Sequence, residues 1–229
     1  MVNVEWLMLN FNLLMPQNNW QTICRQQAEE RAVQEARTSW KINPEQPIPF
    51  NYRWEHVQEV VRLALWLAPQ LNADGEIVEA AAWLHDIAKG QPKHAQVGAV
   101  EAERILAKTD FPTAKIVAVG HTIRHHEGLF RPATASVLEP VEAAILWDAD
   151  KLSKLGVQAL AFLLSAQYLA GMTLSERRLD CEKYVQNTLN RTVASMNTPP
   201  ARQLAEQRYQ HMLTMLNTWA GEELLYNGT

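Results

Sequence analysis

Trp83-Leu84-His85-Asp86-Ile87-Ala88-Lys89-Gly90 is the stretch that decides the fold. It closes a run in which Ile77, Ala81, Leu84 and Ala88 recur at helical spacing, and this predicts an amphipathic helix over about 76–88. Gly90, Gln91 and Pro92 supply the stop. His85 lies beside the apolar stripe, and Asp86 follows where the helix faces protein. A charged residue is seldom buried unless it is paired or coordinates an ion. Neighbours on a helix are about 100° apart, so an imidazole and an adjacent carboxylate reach one ion only at its edge. Taken alone, the dipeptide is explained at least as well by a hydrogen-bonded pair.

The surroundings change that balance. Upstream, His56, Val60, Ala64 and Leu67 share one face of a helix predicted over about 53–68. Downstream, Asp148 and Asp150 sit in the apolar helix VEAAILWDADKLSKLG, residues 141–156. Six of the 7 histidines fall between positions 56 and 126. Two imidazoles and two carboxylates drawn from three helices form a mixed nitrogen and oxygen set. Such a set suits Mn²⁺, Fe²⁺, Co²⁺, Ni²⁺ or Zn²⁺ better than Ca²⁺, which prefers oxygen alone.

The rest of the 229 residues also reads as helix. A polar helix is predicted over 20–37, and the three prolines of NPEQPIPF, residues 43–50, break it. Further helices are expected over 94–108 and 113–126, then after a Pro-containing loop at 128–140. Thr198-Pro199-Pro200 starts the last helix, with Thr198 at the N-cap. No alternating apolar run is long enough for a strand. The fold class expected is all-α.

Bulk properties narrow the function. Hydrophobic residues make up 47% and charged residues 20%, an ordinary globular balance. A net charge of -4 gives no general reason to coat nucleic acid or an anionic membrane. Cys24 and Cys181 form no paired spacing, so two small buried hydrophobes in a reducing cytoplasm are expected. The apolar start, residues 1–17, carries Glu5, Asn10 and Asn12 and no basic leader; it reads as a segment docked on the core or partly mobile, not as a span or signal.

Three segments, taken in order, carry a resemblance to a known family. Asn51-Tyr-Arg-Trp-Glu-His56, then WLHDIAKG, then Trp147-Asp-Ala-Asp-Lys-Leu152 are similar to the H…HD…D pattern of the HD-domain metal-dependent phosphohydrolase superfamily. The match covers roughly residues 50–156. The C-terminal stretch from Thr198 to Glu222 also looks similar to small bacterial members. The resemblance implies an HD-domain helical bundle over 48–160, an N-terminal extension over 1–47 and C-terminal helices over 161–229. It implies a divalent cation (Mn, Fe, Co, Ni, Zn or Mg) held by His56, His85, Asp86 and Asp150. Helical phase instead puts Asp148 in line with the apolar stripe, so Asp148 stays as the alternative ligand.

The same resemblance implies hydrolysis of a small phosphorylated substrate, a nucleotide by preference. Asp86 and Lys89 are then the catalytic candidates, with Lys89 placed to hold a phosphate oxygen or else to stabilise its helix end. Arg53, His94, His125 and His126 are candidates for phosphate binding or a second metal. His121 is one turn before His125, and His211 is expected to be structural. A binuclear phosphodiesterase of cyclic nucleotides remains an alternative, although GLFRP stands where one binuclear class has Gly-Tyr-Pro and Tyr52 where it has glutamate. A catalytically silent nucleotide-binding module is the other alternative. A homodimer stays open. The eight tryptophans are expected in the core.

Overall fold

The computed structural model describes residues 19–132, 134–165 and 169–226. The expectation for residues 1–17 lies outside them. The described residues fold into helices with no strand among them, as the apolar periodicity predicts. No helix among them is long and apolar enough to cross a membrane.

Helix α1 (Trp20–Trp40) starts where the Asn19 side chain accepts from Thr22 N at 2.9 Å, and stops where Lys41 takes the left-handed conformation at φ 52°. Its buried seam is Trp20, Cys24, Ala28, Ala32 and Ala36, one residue per turn and small from Cys24 onward. That seam lets α1 lie close against α2 (Tyr52–Leu67) and α3 (Gly75–Leu84). Asn51 and Asp74 cap those two helices with their side chains.

Helix α4 (His94–Leu106) packs along α5 (Ile116–Arg124). Helix α4 lies in van der Waals contact with the preceding turn, where a Cβ on Gly98 would lie 3.5 Å from the His85 carbonyl oxygen. Helix α6 (Val141–Leu152) runs through the middle, with every residue from Ala143 to Leu152 buried, and touches α2, α3 and α5. The C-terminal part comprises α7 (Val157–Ser165), α8 (Leu174–Tyr184), a π-helical turn (Val185–Leu189), α9 (Asn190–Ala194) and α10 (Pro199–Tyr226). Helix α10 packs on α6, α7, α8 and α9. One contiguous apolar core runs from Trp20 to Leu216.

The helix predicted to continue to residue 88 ends at Leu84. Beyond it the chain tightens into successive three-residue turns, Ile87 N to Leu84 O at 3.1 Å and Lys89 N to Asp86 O at 2.9 Å. His85 keeps helical dihedrals (φ -56°, ψ -37°), and Asp86 follows it into the turn. Both side chains then face the same buried space at the ends of α2 and α6.

Candidate functional site

Six of the residues singled out above converge at that turn. The Nε2 atoms of His56 and His85 face each other at 3.3 Å. Asp86 Oδ2 lies 3.6 Å from His56 Nε2 and 3.5 Å from His85 Nε2. Asp150 Oδ1 lies 3.4 Å from His56 Nε2. The other oxygen of Asp86, Oδ1, looks the opposite way, 3.5 Å from His126 Nε2 and 3.7 Å from His94 Nε2. Asp86 thus divides its two oxygens between two donor groups: His56 with His85, and His94 with His126.

The hydrogen bonds behind the rings fix which nitrogen carries a lone pair. His85 Nδ1 bonds the Ala82 carbonyl at 2.8 Å, and His126 Nδ1 bonds the Ile123 carbonyl at 2.7 Å. A carbonyl only accepts, so both Nδ1 atoms donate and both Nε2 atoms keep their lone pairs. Ser153 Oγ donates to the Asp150 carbonyl at 2.6 Å, so its hydrogen is committed. His56 Nδ1, 2.9 Å from that oxygen, therefore donates to it and presents Nε2 as a lone pair as well. Burial pushes the His56 imidazole down to about 4 and the His85 imidazole down to about 3, so both are neutral near pH 7.

The carboxylates are ionised for a different reason. Burial alone would raise Asp86, but the Arg53 guanidinium paired with its Oδ2 holds it well below the usual carboxylate range. Arg53 Nη1 donates to Asp86 Oδ2 at 2.5 Å, while Nε and Nη2 grip Glu35 of α1 at 2.9 and 2.9 Å. Asp150 is buried too and is held down by Lys151 and Lys154, both ion-paired with it. Lys151 is itself fully buried, donates to the His126 carbonyl at 2.5 Å and lies 4.1 Å over the Trp147 ring. Burial pushes its ammonium down to about 8.

Buried polar atoms are normally satisfied. Asp86 Oδ1 and His126 Nε2 have no hydrogen-bond partner here. Neutral imidazole lone pairs facing ionised carboxylate oxygens, with orphaned atoms among them, are the donor chemistry of a divalent-cation site. The residues present fit such an ion.

Three expectations need correction. Arg53 does not stand open to a ligand: its fork is spent on Glu35 and Asp86, which makes it a brace behind the carboxylate. His125 lies outside the cluster, exposed at the end of α5 and paired with His121 at 4.5 Å between ring centres, because consecutive residues of the turn point apart and His126 takes the inward place. Asp148, the alternative ligand, points away. Its Oδ1 accepts from Asn197 N (2.7 Å) and Asn197 Nδ2 (3.0 Å), and its Oδ2 from Thr198 N (2.8 Å) and Thr198 Oγ1 (2.7 Å). Lys89 stays at the edge of the site, with Nζ 3.4 Å from Asp86 Oδ1 and 3.4 Å from His94 Nε2. His211 is exposed on α10.

Sequence reasoning missed Glu35, Lys151, Ser153 and Lys154. Ser153 and Lys154 lie three and four residues after Asp150, so helical spacing alone marks them as its neighbours. Glu35 carried no local signal, since it comes from a helix that reads as surface.

This geometry joins the comparisons with known proteins. Residues 53–155 match the model of the HD domain family. An uncharacterized protein of Bacillus subtilis, YpgQ, is 29% identical over 163 residues, covering 70% of this chain and 78% of that protein. The solved structure of B. subtilis YpgQ in complex with ADP superposes with a TM-score of 0.57 at 23% identity, covering 87% of this chain and 96% of that one. An HD-superfamily hydrolase from Bacillus thuringiensis gives a TM-score of 0.59 at 20% identity, covering 90% and 100%. The chain carries the all-α fold of HD-superfamily hydrolases. Its residues 53–155 are an HD domain.

The hydroxyl that sets the His56 tautomer gives a direct check on the site. Ser153→Ala removes the acceptor for Nδ1–H and lets the ring rotate. Metal affinity, measured by titration into metal-free protein, is expected to fall about 10- to 100-fold, the usual effect of losing such a support.

Proposed function

We propose that this protein is a metal-dependent phosphohydrolase acting on a nucleotide. The observation that carries the reading is the set of neutral Nε2 lone pairs and ionised carboxylate oxygens gathered around Asp86. His56, His85, Asp86 and Asp150 would hold the cation. When bound, the cation supplies Lewis acidity, which offsets charge on a phosphoryl oxygen and acidifies water.

The chain's own groups do the rest. Arg53 and Glu35 fix the plane of the Asp86 carboxylate, so it needs no reorganisation during the reaction. Asp86 is ionised and accepts a hydrogen bond from the attacking water. Lys89, one-third exposed at the edge of the cluster, adds positive charge for a non-bridging phosphate oxygen. Phosphoryl transfer needs mainly such positioning and electrostatics. A relative bound to ADP supports a nucleotide as the substrate class.

A second reading has its own observation. Asp86 Oδ1, with His94 and His126, forms a further three-donor group, which favours a two-cation form with Asp86 shared. Counting metal ions per chain separates the two.

Stripping the protein with a chelator is expected to abolish hydrolysis, and Mn²⁺, Co²⁺, Ni²⁺ or Mg²⁺ added singly to restore it. The assay is phosphate or pyrophosphate release from a panel of nucleoside mono-, di- and triphosphates and cyclic nucleotides. Undiminished turnover by the metal-free protein, or no turnover of any of them with any metal, would overturn the reading.

A further inference from the structure

Next to the cluster lies a cavity of about 440 Å³ that none of the residues discussed so far explains. That volume falls in the range that takes a drug-sized organic molecule. Two of its wall residues belong to the site itself, His56 and the Ser153 that orients it. From there it opens outward between α2, α7 and the end of α1. Four aromatic rings line it: Trp40, Phe50, Tyr52 and Phe162.

The rings are held in place. The Trp40 indole N–H donates to the Phe50 carbonyl at 2.8 Å, which pins the end of α1 to the segment entering α2. Tyr52 and Phe162 lie face to face with an interplanar angle of 10°. Tyr52 is also stacked at 6.0 Å on His56, so the aromatic lining is continuous with the ligand cluster. Phe50 keeps 43% of its surface exposed, so part of its ring stays open to a ligand entering the cavity. Polar side chains share the wall: Glu59 and Arg62 are ion-paired, and the Glu55 carboxylate and the Gln158 amide stand beside them. A carboxylate accepts hydrogen bonds, and an amide both donates and accepts.

We propose that this cavity seats the nucleobase of the substrate, stacked on the Phe50 and Trp40 side, with Glu55 and Gln158 reading its polar edge. This deepens the nucleotide reading given above and rests on it. A planar heterocycle needs aromatic faces and a few hydrogen-bonding groups, and the cavity has both. A bare polyphosphate has no use for either. The phosphates would then extend past His56 to Asp86 and Lys89.

The test compares a base-bearing substrate with a base-free one on the full-length protein in Mn²⁺. The substrates are a nucleoside triphosphate and inorganic tripolyphosphate, and the variants are Phe50→Ala, which removes a ring, and Ala161→Trp, which fills the cavity from an exposed position on α7. The ratio of kcat/KM for nucleotide to that for tripolyphosphate is expected to fall about tenfold in each, the size of one lost base stack. An unchanged ratio, or an equal loss for both substrates, overturns the proposal. Should the wild-type protein cleave neither, the hydrolase reading fails, and calorimetry with ADP and with pyrophosphate then judges the cavity. Weakening of ADP alone by both variants sustains it. Equal effects on both ligands, or none, overturn it.

Discussion

Asp86→Ala is expected to empty the site and to lower kcat/KM for nucleotide hydrolysis by about 10³-fold, the upper range for loss of one preorganised electrostatic group. The size follows from how many partners this one side chain serves. His56, His85, His94 and His126 all face its oxygens, and Arg53 and Lys89 are paired with it. Without the carboxylate, only Asp150 is left to offer negative charge beside His56 and His85, and none is left between His94 and His126. Breaking a buried pair also costs stability, about 3–5 kcal/mol. Asp86→Asn keeps the volume and one oxygen, so it separates a chemical loss from a folding loss. Metal per chain, initial rates and far-UV circular dichroism are the measurements. Full activity in a folded Asp86→Asn protein would remove Asp86 from the chemistry.

The helices were legible because their signals are local. Asn19, Asn51 and Asp74 sit one residue before α1, α2 and α3, and each caps its helix by its own side chain. His56 was legible from its place on an apolar face, and the 85–86 pair from a charge in an apolar run. The parts that could not be read depend on partners far along the chain. Glu35 braces Arg53 from 18 residues away, on a helix whose composition reads as solvent-facing. Lys151 sits in the most buried helix of the fold, where lysine is expected at the surface; it is tolerated because Asp150, the His126 carbonyl and the Trp147 face all receive its charge. His125 and His126 are adjacent in sequence, yet only one turns inward. Nothing in their spacing distinguishes them.

Asp148 shows the same limit and gives the second large prediction. Helical phase marks it as inward-facing, and inward it is, with no exposed surface. Phase tells which side of a helix is covered, not what covers it. Here the cover is the start of α10, some fifty residues later, where the carboxylate gathers two backbone and two side-chain donors of Asn197 and Thr198. Asn197 in turn accepts from Arg131 at 2.8 Å and from Leu138 N at 3.0 Å, so one carboxylate organises both the α10 entry and the loop before α6. A negative charge at a helix N-terminus also meets the positive end of the helix dipole. Asp148→Ala strands two buried backbone N–H groups, at about 1–3 kcal/mol each. A loss of about 3 kcal/mol is expected, which for a chain of this length lowers Tm by about 6–12 °C. Urea unfolding and a thermal melt measure it. Metal content at a temperature where the variant is folded should match wild type, because Asp148 spends its oxygens on α10. A variant that melts like wild type but loses its metal would put Asp148 among the ligands and undo the division of labour between the two aspartates of α6.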